Sequence, residues 1–310
     1  MMKSLLLYMS IVSIIWINTG CTLTKSEEKQ QPDVKISLAE WSLHRAIKSG
    51  KMDNLDFPRV AAQEFGIYAV EYVSQLFPDN NYDAAYLQQL KDSCERYHVK
   101  STMIMVDHEG NLGDTTEVAR QIAVQNHVKW LEAAEFLGCL SIRVNGNGFG
   151  TDEDVSAALV KSMRELGDLA KEKGLMVIIE NHGVSMPDGS WNMNSFSSNG
   201  TRLSQVLAIA NHPNVGALPD FGNFADYDKY QGVKDLLPYS FGISAKTFRF
   251  DENGEAVETD YKRIFDMVNA SNFDGYIGVE FEGDGVSEHE GIKMTKALIE
   301  KYWDRIPKEQ

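Results

Sequence analysis

Cysteine and proline are scarce in this sequence, and basic residues are well outnumbered. Three cysteines in 310 residues cannot frame a disulfide-stapled fold, and their spacing matches no zinc knuckle. Thirty Lys and Arg against 45 Asp and Glu give a formal net charge of −15. That balance excludes nucleic-acid partners, because phosphate binding needs a basic surface. It also excludes adhesion to anionic lipid through the folded surface. No Gly-x-Gly-x-x-Gly follows the first strand-like run, which argues against a dinucleotide-binding open sheet. Apart from the strand–helix cycle described below, there is no internal repeat.

One long apolar run is present, at 5–17 (LLLYMSIVSIIWI). It is too short for a confident membrane span. Preceded by Lys3 and followed by Asn18-Thr19-Gly20-Cys21, it has the layout of a signal peptide. Ending on Gly-Cys, it resembles a bacterial lipoprotein signal in which Cys21 becomes the lipid-modified first residue. An ordinary secretory signal with an incidental cysteine is the plainer alternative. Residues 1–20 are therefore expected to be a signal peptide and 22–33 (TLTKSEEKQQPD) a flexible tether. Residues 34–306 are the expected folded domain. The protein is expected to be exported, facing the periplasm or cell exterior, and to meet the membrane only through Cys21. Cys94 and Cys139 lie in apolar surroundings and read as buried, inert thiols.

Eight strand-like runs are legible, near 35–41, 69–75, 100–106, 141–146, 176–182, 215–221, 242–248 and 276–283. Helical spacing of apolar residues lies between them, clearest in 115–137, 151–173, 259–272 and 288–304. Gly138 and Gly174 stand where a helix needs a left-handed cap before the next strand. Eight such units predict a single-domain α/β (β/α)8 TIM barrel. Four runs carry a charge where they end: Glu180 in MVIIENHG, Asp220 in VGALPDFGNF, Lys246 in GISAKTF and Glu280 in YIGVEFEG. The C-terminal strand ends of such a barrel form its active-site rim, so these charges read as chemistry.

In these segments the chain resembles the xylose isomerase-like TIM-barrel superfamily, which includes sugar isomerases, ketose 3-epimerases, inosose dehydratases and a zinc endonuclease of abasic DNA. The resemblance spans about 35–304 and is sharpest in IIENHG, LPDFGNF, ISAKTFRFD and GYIGVEFEG. It implies a divalent metal held by Glu180, Asp220 and Glu280, with a histidine as a further ligand. The sequence departs there: Ser244 stands where the family's His-x-Lys-Asp motif begins, and Asn223 where its Asp-x-x-His motif ends. Oxygen-rich ligation suits Mg, Mn or Ca better than zinc. The endonuclease reading needs the missing histidines and falls away with the acidic charge.

Strand alternation places His182 on the same side as Glu180, Lys246 above Ser244, Asn145 above Arg143 and Glu282 above Glu280. Glu180 and Glu280 are the candidate acid–base pair, and Lys246 the candidate support for a developing enediolate. Trp41, His44, Asn145 and His182 are candidate substrate contacts. Glu71 reads as a barrel-interior ion-pair partner, Asp107 and His108 as solvated loop charges, and Met103 and Met105 as core filling. The loop carrying Trp191 reads as a structureless segment long enough to cover a substrate.

The implied activity is a metal-dependent isomerase or epimerase acting on an unphosphorylated sugar or keto-sugar. Proton removal α to a carbonyl would proceed through an enediolate. Two alternatives stay open: a lyase that expels the aglycone of a 3-keto-glycoside after the same first step, and a non-catalytic carbohydrate-binding barrel. A small carbohydrate is the expected partner, and the sequence leaves the oligomeric state open.

Overall fold

The computed structural model describes residues 34–304, apart from 81, 187 and 225. The apolar run, Cys21 and the 22–33 segment lie outside the described residues, as does the end of the expected domain. Among the described residues, eight parallel strands form one sheet: β1 (Ile36–Ala39), β2 (Ala69–Val73), β3 (Lys100–Met105), β4 (Ser141–Asn145), β5 (Met176–Glu180), β6 (Val215–Leu218), β7 (Gly242–Thr247) and β8 (Tyr276–Phe281). The eight expected strands are thus all present, ending one to three residues earlier than their apolar runs.

Between them run α1 (Phe57–Phe65), α2 (Ala84–Tyr97), α3 (Glu117–Leu137), α4 (Asp152–Glu172), α5 (Gly200–Ala210), α6 (Lys229–Leu236) and α7 (Tyr261–Ala270), with α8 (Glu288–Tyr302) after β8. Gly138 and Gly174 follow α3 and α4 in the left-handed region, at φ 73° and 69°, as the sequence predicts. Thr151 starts α4 by accepting the Asp154 backbone N–H, and three acidic residues fill its first turn; both satisfy or complement the free N–H groups there.

The strands pair in sequence order, with β1 beside β8. Closure is completed between β6 and β7 by bridges at Ala217–Ser240 and Asp220–Ser244. Phe221 N–H donates to Ser244 O at 3.1 Å, and Ser244 N–H to Pro219 O at 3.1 Å. The seam of the barrel therefore passes through two residues singled out in the sequence.

Strand alternation sorts the side chains into two cores. Outward residues such as Ile104, Ile142, Ile179 and Val279 pack under the helices. Inward ones, including Ala39, Val73, Met103, Met105, Ile178 and Leu218, fill the barrel. The two methionines are core filling, as expected. Cys94 and Cys139 are free and buried, and burial raises both thiols. Glu71 points inward and forms no salt bridge among the described residues; it accepts the Ser37 hydroxyl at 2.5 Å. Gly278 leaves it room, since an added Cβ would stand 2.6 Å from its carboxyl oxygen. Burial pushes Glu71 up to about 8, so at neutral pH it is a protonated carboxyl and not half of an ion pair.

Candidate active site

A cavity of about 760 Å³ opens at the C-terminal ends of the strands. Its wall includes Trp41, Arg143, Asn145, Glu180, His182, Asn223, Lys246, Glu280 and Glu282. Register explains why these side chains meet: Asn145 pairs with Glu180, and Lys246 with Glu280. Neighbouring parallel strands in register point paired side chains the same way.

Lys246 Nζ lies at the centre of the acidic group. It is 2.9 Å from Glu280 Oε1, 3.1 Å from Glu282 Oε2 and 3.8 Å from Asp220 Oδ2. Asn223 Oδ1 stands 3.4 Å away. Burial alone would lower this ammonium, but the surrounding carboxylates outweigh it and hold Lys246 well above its ordinary value. Glu282 is pulled the other way: burial would raise it, yet Lys246 and the Trp41 N–H bring it to about 2.

Ser244 links two carboxyls. Its Oγ is 2.6 Å from Asp220 Oδ2 and 2.7 Å from Glu280 Oε2. A serine hydroxyl has one hydrogen to give, so one of these two contacts uses a proton carried by a carboxyl. Asp220 is fully buried, and burial lifts it to about 7. Asp220 is the carboxyl placed to hold that proton. Its Oδ1 accepts the backbone N–H groups of Gly222 and Asn223 at 2.7 and 2.8 Å.

Glu180 has a different environment. Arg143 Nε faces its Oε2 at 2.7 Å, although the N–H is not aligned along that line. Asn223 Nδ2 donates to its Oε1 at 3.1 Å. Burial pushes Glu180 up to about 7 against the pull of Arg143. Arg143 also binds Asp107 Oδ1 at 2.7 Å and Asn145 Oδ1 at 3.0 Å. Asp107 is therefore not a solvated loop charge: burial would raise it, but Arg143 and His182 hold it below the usual carboxylate range.

The backbone beyond β5 is pinned. Asn181 exchanges hydrogen bonds with the Asp220 backbone at 2.7 and 2.9 Å. The Ser195 and Ser197 hydroxyls donate to the His182 carbonyl at 2.6 and 2.7 Å. His182 Nδ1 lies 2.9 Å from Gly183 O, and a carbonyl only accepts, so Nδ1 carries the hydrogen and Nε2 is left as the acceptor. Burial lowers His182, keeping the ring neutral.

The loop after β5 is not structureless. Val184–Ser185 pairs with Trp191–Asn192 as a short antiparallel ribbon. Its Trp191 meets His182 edge-on at 5.2 Å and lies against Gly183, where an added Cβ would be 2.7 Å from the indole. Trp191 is 53% exposed and stands on the cavity wall.

Of the expected substrate contacts, Trp41, Asn145 and His182 reach the cavity wall, and His44 does not. His44 stacks on Trp41 at 4.5 Å and meets its carbonyl through Nδ1 at 2.6 Å. Trp41 in turn donates its indole N–H to Glu282 at 2.8 Å. Asp220 and Ser244 are also absent from the wall. Arg143 and Asn223 were given no site role from the sequence, and Asp107 only that of a solvated loop charge. Parity alone marks Arg143, which lies two residues before Asn145 on the same face.

The expected metal arrangement needs correction. Glu180, Asp220 and Glu280 do converge, but an ammonium and a serine hydroxyl lie among them. Among the described residues, no group of three or more His, Cys, Asp or Glu is arranged to hold a metal ion. The residues present do not fit a divalent cation.

No curated protein matches the chain. Its solved structural neighbours include a 3-keto-D-glucoside 4-epimerase, YcjR, from E. coli (16% identity, TM-score 0.60, covering 86% of this chain and 98% of that one). They also include a sugar phosphate isomerase/epimerase from Parabacteroides distasonis (14% identity, TM-score 0.66, 89% and 97%). A third is the IOLI protein, solved with a bound zinc atom (15% identity, TM-score 0.65, 87% and 98%). At such identities the likeness carries the fold. The family model described as xylose isomerase-like TIM barrel matches residues 60–302, and the chain belongs to that family.

Proposed function

We propose that this protein is a sugar isomerase or epimerase that acts on an unphosphorylated keto-sugar, with 3-keto-glycosides as the favoured substrate class. The observation that carries the reading is the grouping of Glu180, Glu280 and Lys246 on one cavity wall. Glu180, lifted to about 7 by burial, is suited to accept a proton from the carbon beside the carbonyl at neutral pH. The electron pair moves to the carbonyl oxygen, and a Lys246 N–H stabilises the resulting enediolate. Glu280 stands on another strand and returns a proton to the opposite face, giving the epimer. The Asp220–Ser244–Glu280 chain of contacts supplies that proton, and exchange with solvent resets both carboxyls.

Two features support the substrate class. The cations on the wall, Arg143 and Lys246, are each already faced by carboxylates, which leaves little attraction for a phosphate. The cavity is also of a size that holds a drug-sized ligand, so a glycoside with its aglycone has room. If the aglycone leaves from the carbon β to the carbonyl, the same intermediate makes the protein a lyase.

The test is hydrogen exchange in D2O. Wild-type protein is expected to place deuterium α to the carbonyl of a 3-keto-glucoside, whichever product forms. Glu180→Gln and Glu280→Gln are each expected to lose at least about 100-fold, the scale of one acid–base group, and Lys246→Met less. Full exchange in both Gln variants would transfer the role of base to His182. No exchange by the wild type on any keto-sugar would favour a binding barrel.

A further inference from the structure

We propose that the Lys246 ammonium takes the place of a metal ion beside the Asp220, Glu280 and Glu282 carboxylates and excludes one from them. The claim concerns the cluster itself and holds whichever sugar is bound. An ammonium has three hydrogens to donate and no lone pair. Here its neighbours are Glu280 Oε1 at 2.9 Å, Glu282 Oε2 at 3.1 Å and the longer contact to Asn223 Oδ1 at 3.4 Å. The side chain is 4% exposed and arises from the middle of the cluster, since Lys246 pairs with Glu280 across β7 and β8.

Each oxygen a metal would need already faces a hydrogen-bond donor or a cation of the chain. Asp220 Oδ1 accepts two backbone N–H groups, and Asp220 Oδ2 and Glu280 Oε2 both contact Ser244 Oγ. Glu180 Oε1 accepts from Asn223, and its Oε2 faces Arg143. Serine and asparagine thus do more than remove two imidazoles. Ser244 ties two carboxyls to each other, and Asn223 ties Glu180 to Lys246. A divalent ion sits about 2–2.6 Å from its oxygen ligands. One bound to Glu280 and Asp220 would stand against the ammonium, where two like charges strongly oppose each other. Lys246 fills the cation place beside Asp220, Glu280 and Glu282, Arg143 fills the one beside Glu180, and the chain supplies both.

The consequence for a bound sugar is a fixed charge that cannot be chelated away. Two of the three N–H groups are held by Glu280 and Glu282. The third makes the long Asn223 contact, with Asp220 Oδ2 farther off at 3.8 Å, and is the one available to a substrate oxygen.

The test is metal binding by the full-length protein. After EDTA treatment and dialysis against Mn(II) or Zn(II), the wild type is expected to retain no stoichiometric metal by elemental analysis. Its melting temperature is expected to be the same with EDTA and with either ion, because a ligand that binds the native state raises it. Lys246→Met, and the double variant Ser244→His/Lys246→Met, are expected to gain Mn(II) seen as a loss of the free-ion EPR signal. Stoichiometric metal in the wild type, lost in Glu280→Gln, would overturn the proposal. So would a folded Lys246→Met that takes up no metal in either form. If neither variant folds, the melting comparison on the wild type still decides, with a metal-dependent rise counting against the proposal.

Discussion

Arg143 Nε and Glu180 Oε2 face each other at 2.7 Å inside the barrel, with the two side chains only 4% and 2% exposed. The guanidinium also binds Asp107 at 2.7 Å, so one cation on β4 serves a rim carboxylate and the carboxyl proposed to move the proton. Burial and Arg143 oppose each other on Glu180, and the balance leaves it at about 7.

Removing the guanidinium therefore has a predicted sign. In Arg143→Met the largest offset to burial is lost, and Glu180 rises further above 7. A base works deprotonated, so the rising limb of the kcat/KM profile against pH moves to higher pH. Exchange activity at neutral pH is expected to drop about fivefold for a rise of about one pKa unit, and to recover partly in alkaline buffer. A loss that stays constant across pH would instead mark Arg143 as a purely structural residue. The variant is also expected to melt earlier, because it leaves buried carboxylates without a counter-charge.

Glu40 sets a second pH dependence, away from the acid–base pair. It is fully buried, accepts the Val73 N–H at 2.9 Å and is pushed by burial to about 8. The native state keeps a proton that the unfolded chain releases above 4.5, the ordinary value. Between those values the native state binds more protons, so stability falls as pH rises and levels off above about 8. In Glu40→Gln the fall in melting temperature from about pH 5 to 8 is expected to be shallower than in the wild type. It does not vanish, because Glu71 is raised to about 8 as well. Identical slopes for variant and wild type would contradict the assignment.

The export reading has its own test. With Cys21 as the lipid attachment point, Cys21→Ser is expected to move the protein from the membrane fraction to the soluble one. The exchange activity is expected to be unchanged, since the candidate site is built from residues 41–282. Unaltered fractionation, or an intact unmodified N-terminus by mass spectrometry, would rule out the anchor.

Much of the fold was legible because a barrel is written in local terms. Each strand is a short apolar run, each helix has its own period, and Gly138 and Gly174 mark two of the turns between them. The rim was legible for the same reason: Glu180, Lys246 and Glu280 stand at the ends of their strands, and alternation along one strand puts His182 beyond Glu180 and Asn145 beyond Arg143. These are properties of single segments, and a sequence displays them directly.

What only the tertiary structure decided are relations between segments. The closing bridge between Asp220 and Ser244, and the register of Lys246 with Glu280, depend on how strands far apart in sequence align. Those relations put an ammonium among the carboxylates that the sequence alone presented as metal ligands. They also turned Asp107 from a loop charge into a partner of Arg143, removed His44 from the cavity wall, and left Glu71 as a protonated carboxyl in no salt bridge among the described residues. Charge type and strand position are local, whereas the partner of a buried charge is set by packing across the barrel.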